Sequence, residues 1–186
     1  MNIFFDTEFT GLHKNTTLIS IGLISETGKT FYAEFTDYNH AQIDNWIQKN
    51  VINNLQFNQS GAFLNSRDGN IEVKGTKQYI SKHLKEWLDS FNERIQFISD
   101  VCYYDMVFLI DLFGSAFDLP MYVNPACHDI NQDIARYFNI QESAAFNLSR
   151  EKILDDFEVN IEGDKHNSLY DAKVIGAIYN EIIEHE

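Results

Sequence analysis

Ile3-Phe4-Phe5-Asp6-Thr7-Glu8-Phe9-Thr10-Gly11-Leu12 is the stretch on which the fold turns. The apolar run Ile3-Phe4-Phe5 reads as a strand, and a strand alternates its faces with a period of two. Asp6 and Glu8 therefore point to one side of the strand end and Thr7 to the other. Two carboxylates on one face beside aromatic rings repel each other unless a cation, a proton or a basic partner intervenes. The nearest bases in sequence, His13 and Lys14, lie beyond the Thr10-Gly11 turn. Mg²⁺ and Mn²⁺ favour carboxylate oxygens, so a divalent metal is the economical partner. A surface strand end with two solvated acids is the competing interpretation of the triplet alone.

Working outward, Leu18 to Ser25 reads as a strand buried on both faces and Thr30 to Phe35 as its return, across the Glu26-Thr27-Gly28-Lys29 turn. With the opening strand they form an antiparallel three-stranded meander. The apolar spacing predicts helices over Ala41–Leu55, Thr76–Phe91 and Tyr104–Phe117, with Asp118-Leu119-Pro120 ending the third. It predicts further helices after the short strand Ala126–Ile130, over Leu148–Asp155, and over Ser168–Ile183. Asn58 to Gly75 is polar and reads as an exposed loop, with room for a short hairpin around Asp68-Gly69. Ile95 to Ser99 reads as a strand. Strands alternating with helices after a meander predict an α/β fold: a mixed five-stranded sheet, three strands antiparallel and the rest parallel, flanked by helices. Ligand sites in such sheets gather at the carboxyl ends of the parallel strands, where Asp6 and Glu8 lie.

Two more acids are drawn towards that end. Asp105 shares a helical stripe with Leu109 and Leu112, which faces the core. An acid near a helix N-terminus is also favoured by the macrodipole alone. Asp171 lines up with Ile175, Ile178 and Ile182, and an acid on an apolar stripe needs a partner, from a metal, from Tyr170 or from a backbone donor. His166 and Asp171 on one continuous helix would stand roughly 140° apart, so they converge only if His166 precedes the helix, with Asn167 or Ser168 as its N-cap. A histidine there suits a general base. Asp129 and Asp133 beside His128 could form another metal site or be helix-start acids. Trp87 and Trp46 both read as core, beside Leu84 and beside Ile43 and Ile47.

The chain has 186 residues, 28 acids against 14 bases and a net charge of −14, which argues against broad binding of duplex nucleic acid. An acidic site that handles a phosphodiester through metal ions stays open, because bound cations invert the local field. The absence of an apolar run of about 18 residues argues against a membrane span, and the start lacks the basic region of a signal peptide. Cys102 and Cys127 read as buried thiols of a cytoplasmic protein. One domain over residues 1–186 is expected, without internal repeats.

Three segments together resemble the DEDDh 3′–5′ exonucleases. Asp6-Thr7-Glu8-Phe9-Thr10-Gly11-Leu12 is similar to their first motif, with Phe9 where Thr is usual. Tyr103-Tyr104-Asp105-Met106-Val107-Phe108-Leu109 resembles the second, and His166-Asn167-Ser168-Leu169-Tyr170-Asp171-Ala172 the third. The second motif lacks its usual upstream Asn, and Asp100 and Asp111 compete with Asp105 for its acid; Asp111 lies about 120° off the Asp105 stripe. The chain is most similar to the ribonuclease T-like branch, which includes polyadenylate-preferring exoribonucleases. That resemblance implies a ribonuclease H-like fold and two Mg²⁺ or Mn²⁺ ions held by Asp6, Glu8, Asp105 and Asp171, about 3.5–4 Å apart. It implies His166 as general base, Thr7, Phe9 and Leu12 as substrate-binding residues, and release of 5′-mononucleotides from single-stranded 3′ ends, RNA ahead of DNA. It also admits a homodimer. The alternatives are a DNA-directed proofreading-type or oligonucleotide-cleaving exonuclease, and a non-catalytic nucleic-acid-binding module on the same fold.

Overall fold

A computed structural model describes residues 1–185. β1 (Asn2–Phe9), β2 (Leu18–Ser25) and β3 (Thr30–Phe35) form the expected meander, with Asp6 opposite Gly22 and Glu8 opposite Ser20. β4 (Phe63–Arg67) and β5 (Asn70–Gly75) form a hairpin, and β5 runs parallel to β3. β6 (Gln96–Ser99) lies parallel to β1, and β7 (His128–Asp129) parallel to β6. Among the described residues the sheet order is β4-β5-β3-β2-β1-β6-β7. The sheet is mixed, as expected, but has seven strands rather than five. Both additional strands, β4 and β5, come from the segment read as an exposed loop. Its turn falls at Asp68 and Gly69, both with positive φ, and β4 is polar because it is an exposed edge strand.

Seven α-helices cover the two faces among the described residues: α1 (Asn45–Asn50), α2 (Lys77–Asp89), α3 (Tyr103–Phe113), α4 (Ile130–Tyr137), α5 (Glu142–Phe146), α6 (Arg150–Asp156) and α7 (Ser168–His185). The long helix expected over 41–55 is broken. Asp44 caps α1 by accepting from the Ile47 amide, and short 3₁₀ turns flank that helix on either side. α3 stops before the expected Phe117 because Gly114, at φ 106°, leaves the helical region. α5 is too short to show a period. Cys102 and Cys127 are free thiols, half-buried rather than buried. No described helix is long and apolar enough to cross a membrane.

The period of β1 sorts the core into two layers. Ile3 and Phe5 pack with Leu84, Trp87, Leu109 and Leu112 on the α2–α3 side. Phe4 packs with Ile134, Ile153, Ile175 and Ile178 on the α4–α6–α7 side. Asp6 and Glu8 continue the Phe4 face, and Thr7 continues the other. Gly22 sets how closely α7 approaches. A Cβ built there would lie 2.2 Å from the Leu169 nitrogen, so only a residue without a side chain lets the first turn of α7 rest on β2 opposite Asp6. The buried hydroxyls of Ser20 and Ser168, 3.0 Å apart, tie the same two elements.

Candidate active site

The alternation of β1 decides which helix each acid meets. On the Phe4 face, Glu8 faces the start of α7. Ligand atoms of Glu8, His166 and Asp171 lie within 4.8 Å of one another. On the opposite face, Thr7 meets α3. Its hydroxyl donates to Asp105 Oδ1, its amide donates to the same oxygen at 3.2 Å, and Ser99 Oγ donates to Asp105 Oδ2 at 2.9 Å. Asp6, Glu8, Asp105, His166 and Asp171 line one cavity of about 760 Å³.

This concentration of acid is electrostatically costly. Burial, then the charges of Asp105, Asp171, Glu8 and Asp100, push the Asp6 carboxyl well above the usual range. Burial and the Asp171 and Asp105 charges raise Glu8 to about 8. Burial raises Asp105 to about 6, against the lowering pull of its hydrogen bonds from Thr7 and Ser99. Burial likewise raises Asp171 to about 7, opposed by the hydrogen bond from the His166 amide. Burial and the Lys165 cation lower the His166 imidazole. Such shifts mark a site that lacks positive charge.

The cations nearby are engaged. Arg150 donates to both oxygens of Asp100 (2.6 and 2.9 Å), to Asn131 Oδ1, and to the carbonyls of Ala145 and Leu148. All five of its N–H groups are thereby used. Lys165 Nζ pairs with Glu151 at 2.9 Å. Asp100, the competitor for the second motif, thus lines the cavity but belongs to an arginine. Asp111, the other competitor, pairs with Lys77 at 2.5 Å and is absent from the cavity lining. What remains for a metal is a set of oxygen donors and one imidazole, the donor chemistry that suits Mg²⁺ or Mn²⁺.

His166 precedes α7, at φ 63°, and its amide donates to Asp171 Oδ2 at 2.9 Å. Asn167 Oδ1 accepts from the Tyr170 amide, the N-cap expected from sequence. The backbone donor weighed as the alternative partner of Asp171 is therefore present, and it is the amide of His166.

Apolar side chains wall the cavity. Phe9 stacks on Tyr104 with ring centroids 5.1 Å apart and an interplanar angle of 22°, and it also packs on Phe108. Leu12 is 81% exposed at the mouth. Thr7 lines the cavity, but its hydroxyl and amide both serve Asp105, so its visible part is to hold that acid rather than to face a ligand. Trp46 departs from the core reading. It is 55% exposed, lines the cavity and packs edge-on to the His166 ring at 5.0 Å. The short, interrupted α1 turns it outward, and the 3.6-residue period of an unbroken helix concealed that. Trp87 is buried in the core as expected. Asp129 caps α4 and Asp133 is bonded to His128 and Arg136, which is the helix-start arrangement.

Comparison with known proteins places this geometry. The 3′–5′ exoribonuclease Rv2179c of Mycobacterium tuberculosis (strain ATCC 25618 / H37Rv) is 28% identical over 133 residues, 71% of this chain and 73% of that protein. The nuclease domain of 3′hExo, a DEDDh family member bound to rAMP, superposes with a TM-score of 0.66 at 12% identity, covering 99% of this chain and 92% of that one. The Mg²⁺- and Mn²⁺-bound form of S. pombe Pop2p gives a TM-score of 0.61 at 18% identity over 97% and 82%. These two likenesses establish the ribonuclease H-like fold. The 3′–5′ exoribonuclease Rv2179c-like domain model matches residues 1–183, nearly the whole sequence, and the chain belongs to that exoribonuclease family.

Proposed function

We propose that this exoribonuclease hydrolyses the last phosphodiester of a single-stranded RNA 3′ end and releases a 5′-mononucleotide. In this reading Asp6, Glu8, Asp105 and Asp171 hold two divalent cations, Mg²⁺ or Mn²⁺, and His166 is the general base. The observation that carries it is the approach of Glu8, His166 and Asp171 to within 4.8 Å in a cavity whose basic side chains are already paired. The metal-bound form of Pop2p, on the same fold, supports the use of divalent ions.

Cations bound there would offset the phosphate charge and the charge developing on the attacking and leaving oxygens. The protein's own residues do the rest. Burial and the Lys165 cation favour the neutral imidazole of His166, so a ring nitrogen can accept the proton of the attacking water. Its amide bond to Asp171 holds the base and one acid in fixed relation. Thr7 and Ser99 fix the orientation of Asp105. Phe9, backed by Tyr104, and Leu12 offer apolar surface to the terminal bases, and stacking of this kind tolerates many sequences. The RNA preference rests on the family, and we place the enzyme in the cytoplasm, with a homodimer as its proposed assembly.

A time course on one oligoribonucleotide, labelled at either end, tests the reading. The 3′ label should appear at once as mononucleotide and the 5′ label as a shortening ladder, and chelation should stop both. Degradation from the 5′ side, or a rate indifferent to chelator, would refute it. A matched DNA oligomer in the same assay separates RNA from DNA preference.

A further inference from the structure

The mechanism above leaves unused a buried acid that lies in register with the site. Glu34 on β3 has no exposed surface. In sheet register it stands opposite Ser20 on one side and Lys74 on the other, and Ser20 stands opposite Glu8. Directly opposed residues share a face, so a polar row, Glu8–Ser20–Glu34–Lys74, runs from the acidic site across the sheet. Ser20 bonds Ser168, which puts the start of α7 on that row.

Glu34 Oε1 accepts from the Tyr32 hydroxyl at 3.0 Å and from the amides of Gln56 (2.5 Å) and Phe57 (3.0 Å). Oε2 has no hydrogen-bond partner among the described residues; Lys74 Nζ stands 3.6 Å from it and donates instead to the Phe57 carbonyl at 2.7 Å. Together, Glu34 and Lys74 clamp the backbone at residues 56–57. The neighbouring residues hold the His166 loop. Asn54 Nδ2 donates to the Lys165 carbonyl (2.9 Å), and Asn167 Nδ2 donates to the Asn54 carbonyl (3.1 Å) and to the Tyr32 hydroxyl (3.4 Å). Residues 165 and 167 are therefore both tied to the Glu34 network, and His166 between them adopts a left-handed backbone. A non-glycine residue keeps that conformation only when its surroundings over-determine it.

We propose that Glu34 is a positioning residue for His166. It acts from the far side of α7's first turn, through the 54–57 segment and through Tyr32 to Asn167, and never touches the substrate. Burial and the Glu34 charge push the Tyr32 hydroxyl pKa upwards, so it stays a donor at all working pH values. An acid sealed among these amides is costly, and a network that fixes a reacting group is what such a cost can sustain. The proposal rests on His166 being the base.

The test compares Glu34→Gln, Tyr32→Phe and Asn54→Ala with the parent, each in the parental and in the His166→Ala background. The readouts are kcat and KM on an oligoribonucleotide with Mn²⁺ saturating, and Mn²⁺ binding by calorimetry. Displacing a reacting group by a fraction of an ångström should lower kcat about tenfold in Glu34→Gln, and less in the other two. KM and Mn²⁺ affinity should stay within about twofold, because neither reports the base. In the His166→Ala background the losses should vanish. Losses of equal fold in both backgrounds, or folded variants that keep the parental kcat, overturn the proposal. If Glu34→Gln does not fold, Tyr32→Phe and Asn54→Ala decide by the same criteria. A parental rate in His166→Ala itself would instead defeat the general-base reading, which separates the two failures.

Discussion

At the scale of single residues, the protonation of the four acids links metal, pH and stability. Asp6, Glu8, Asp105 and Asp171 all have carboxyl pKa values raised by burial, so the folded protein holds their protons more tightly than the unfolded chain does. For groups of this kind, stability is greatest below the unfolded value, near 4, and is lost as pH rises through the folded values, up to about 8 for Glu8. The metal-free protein should therefore melt at lower temperature at pH 8 than at pH 5.5, and Mn²⁺ should remove most of the difference. A thermal scan at both pH values, with and without Mn²⁺, checks this. Asp6→Asn should abolish turnover yet raise the metal-free melting temperature at pH 8 by a few degrees, on the order of 1–2 kcal/mol of relieved repulsion. A destabilised Asp6→Asn would contradict the charge argument. All four of these acids could be read in the sequence, because a strand period and a helix period each say which way a side chain faces. Trp46 could not, since its orientation depends on where α1 breaks.

Among elements, the contact of α7 with β2 governs the site, because α7 carries Asp171 and fixes His166. Gly22→Ala puts a methyl against the Leu169 backbone, which cannot step aside as a side chain would. The substitution should cost roughly 2–3 kcal/mol by denaturant unfolding and depress activity with it, as overpacked cores do. The α5–α6 wall is held differently. Arg150 spans Asp100 at the end of β6, Asn131 in α4 and two carbonyls beside α5. Arg150→Met leaves Asp100 without its partner at a position about a quarter exposed, and should cost about 2 kcal/mol after allowance for solvent. The meander, α2 and α7 were legible because each is long enough to show its period. Of the β4–β5 hairpin only the turn at Asp68-Gly69 was legible, because an edge strand carries no apolar alternation; the broken α1 and the short α5 were not, since a helix of five residues completes hardly more than one turn.

For the molecule as a whole, the charge of −14 limits how substrate is held. Bases that could guide a strand are already engaged: Lys165 with Glu151, and Arg67 with Asp68 at the far hairpin. Binding should then involve one or two phosphates, and the slope of log KM against log salt should be about 1 in magnitude, as expected for a single strand. A slope several times steeper would reveal a basic track contributed by another copy of the chain. The sheet order could be anticipated only in part, because the pairing of β3 with β5 joins segments far apart in sequence, and no local pattern announces it. The span of the acidic cluster has a consequence during synthesis. Asp6 and Glu8 leave the ribosome well before His166 and Asp171, which emerge only with α7. Until then a nascent polypeptide carries Asp6, Glu8 and Asp105 without His166 or Asp171, so the proposed cation site cannot be complete before α7 is made.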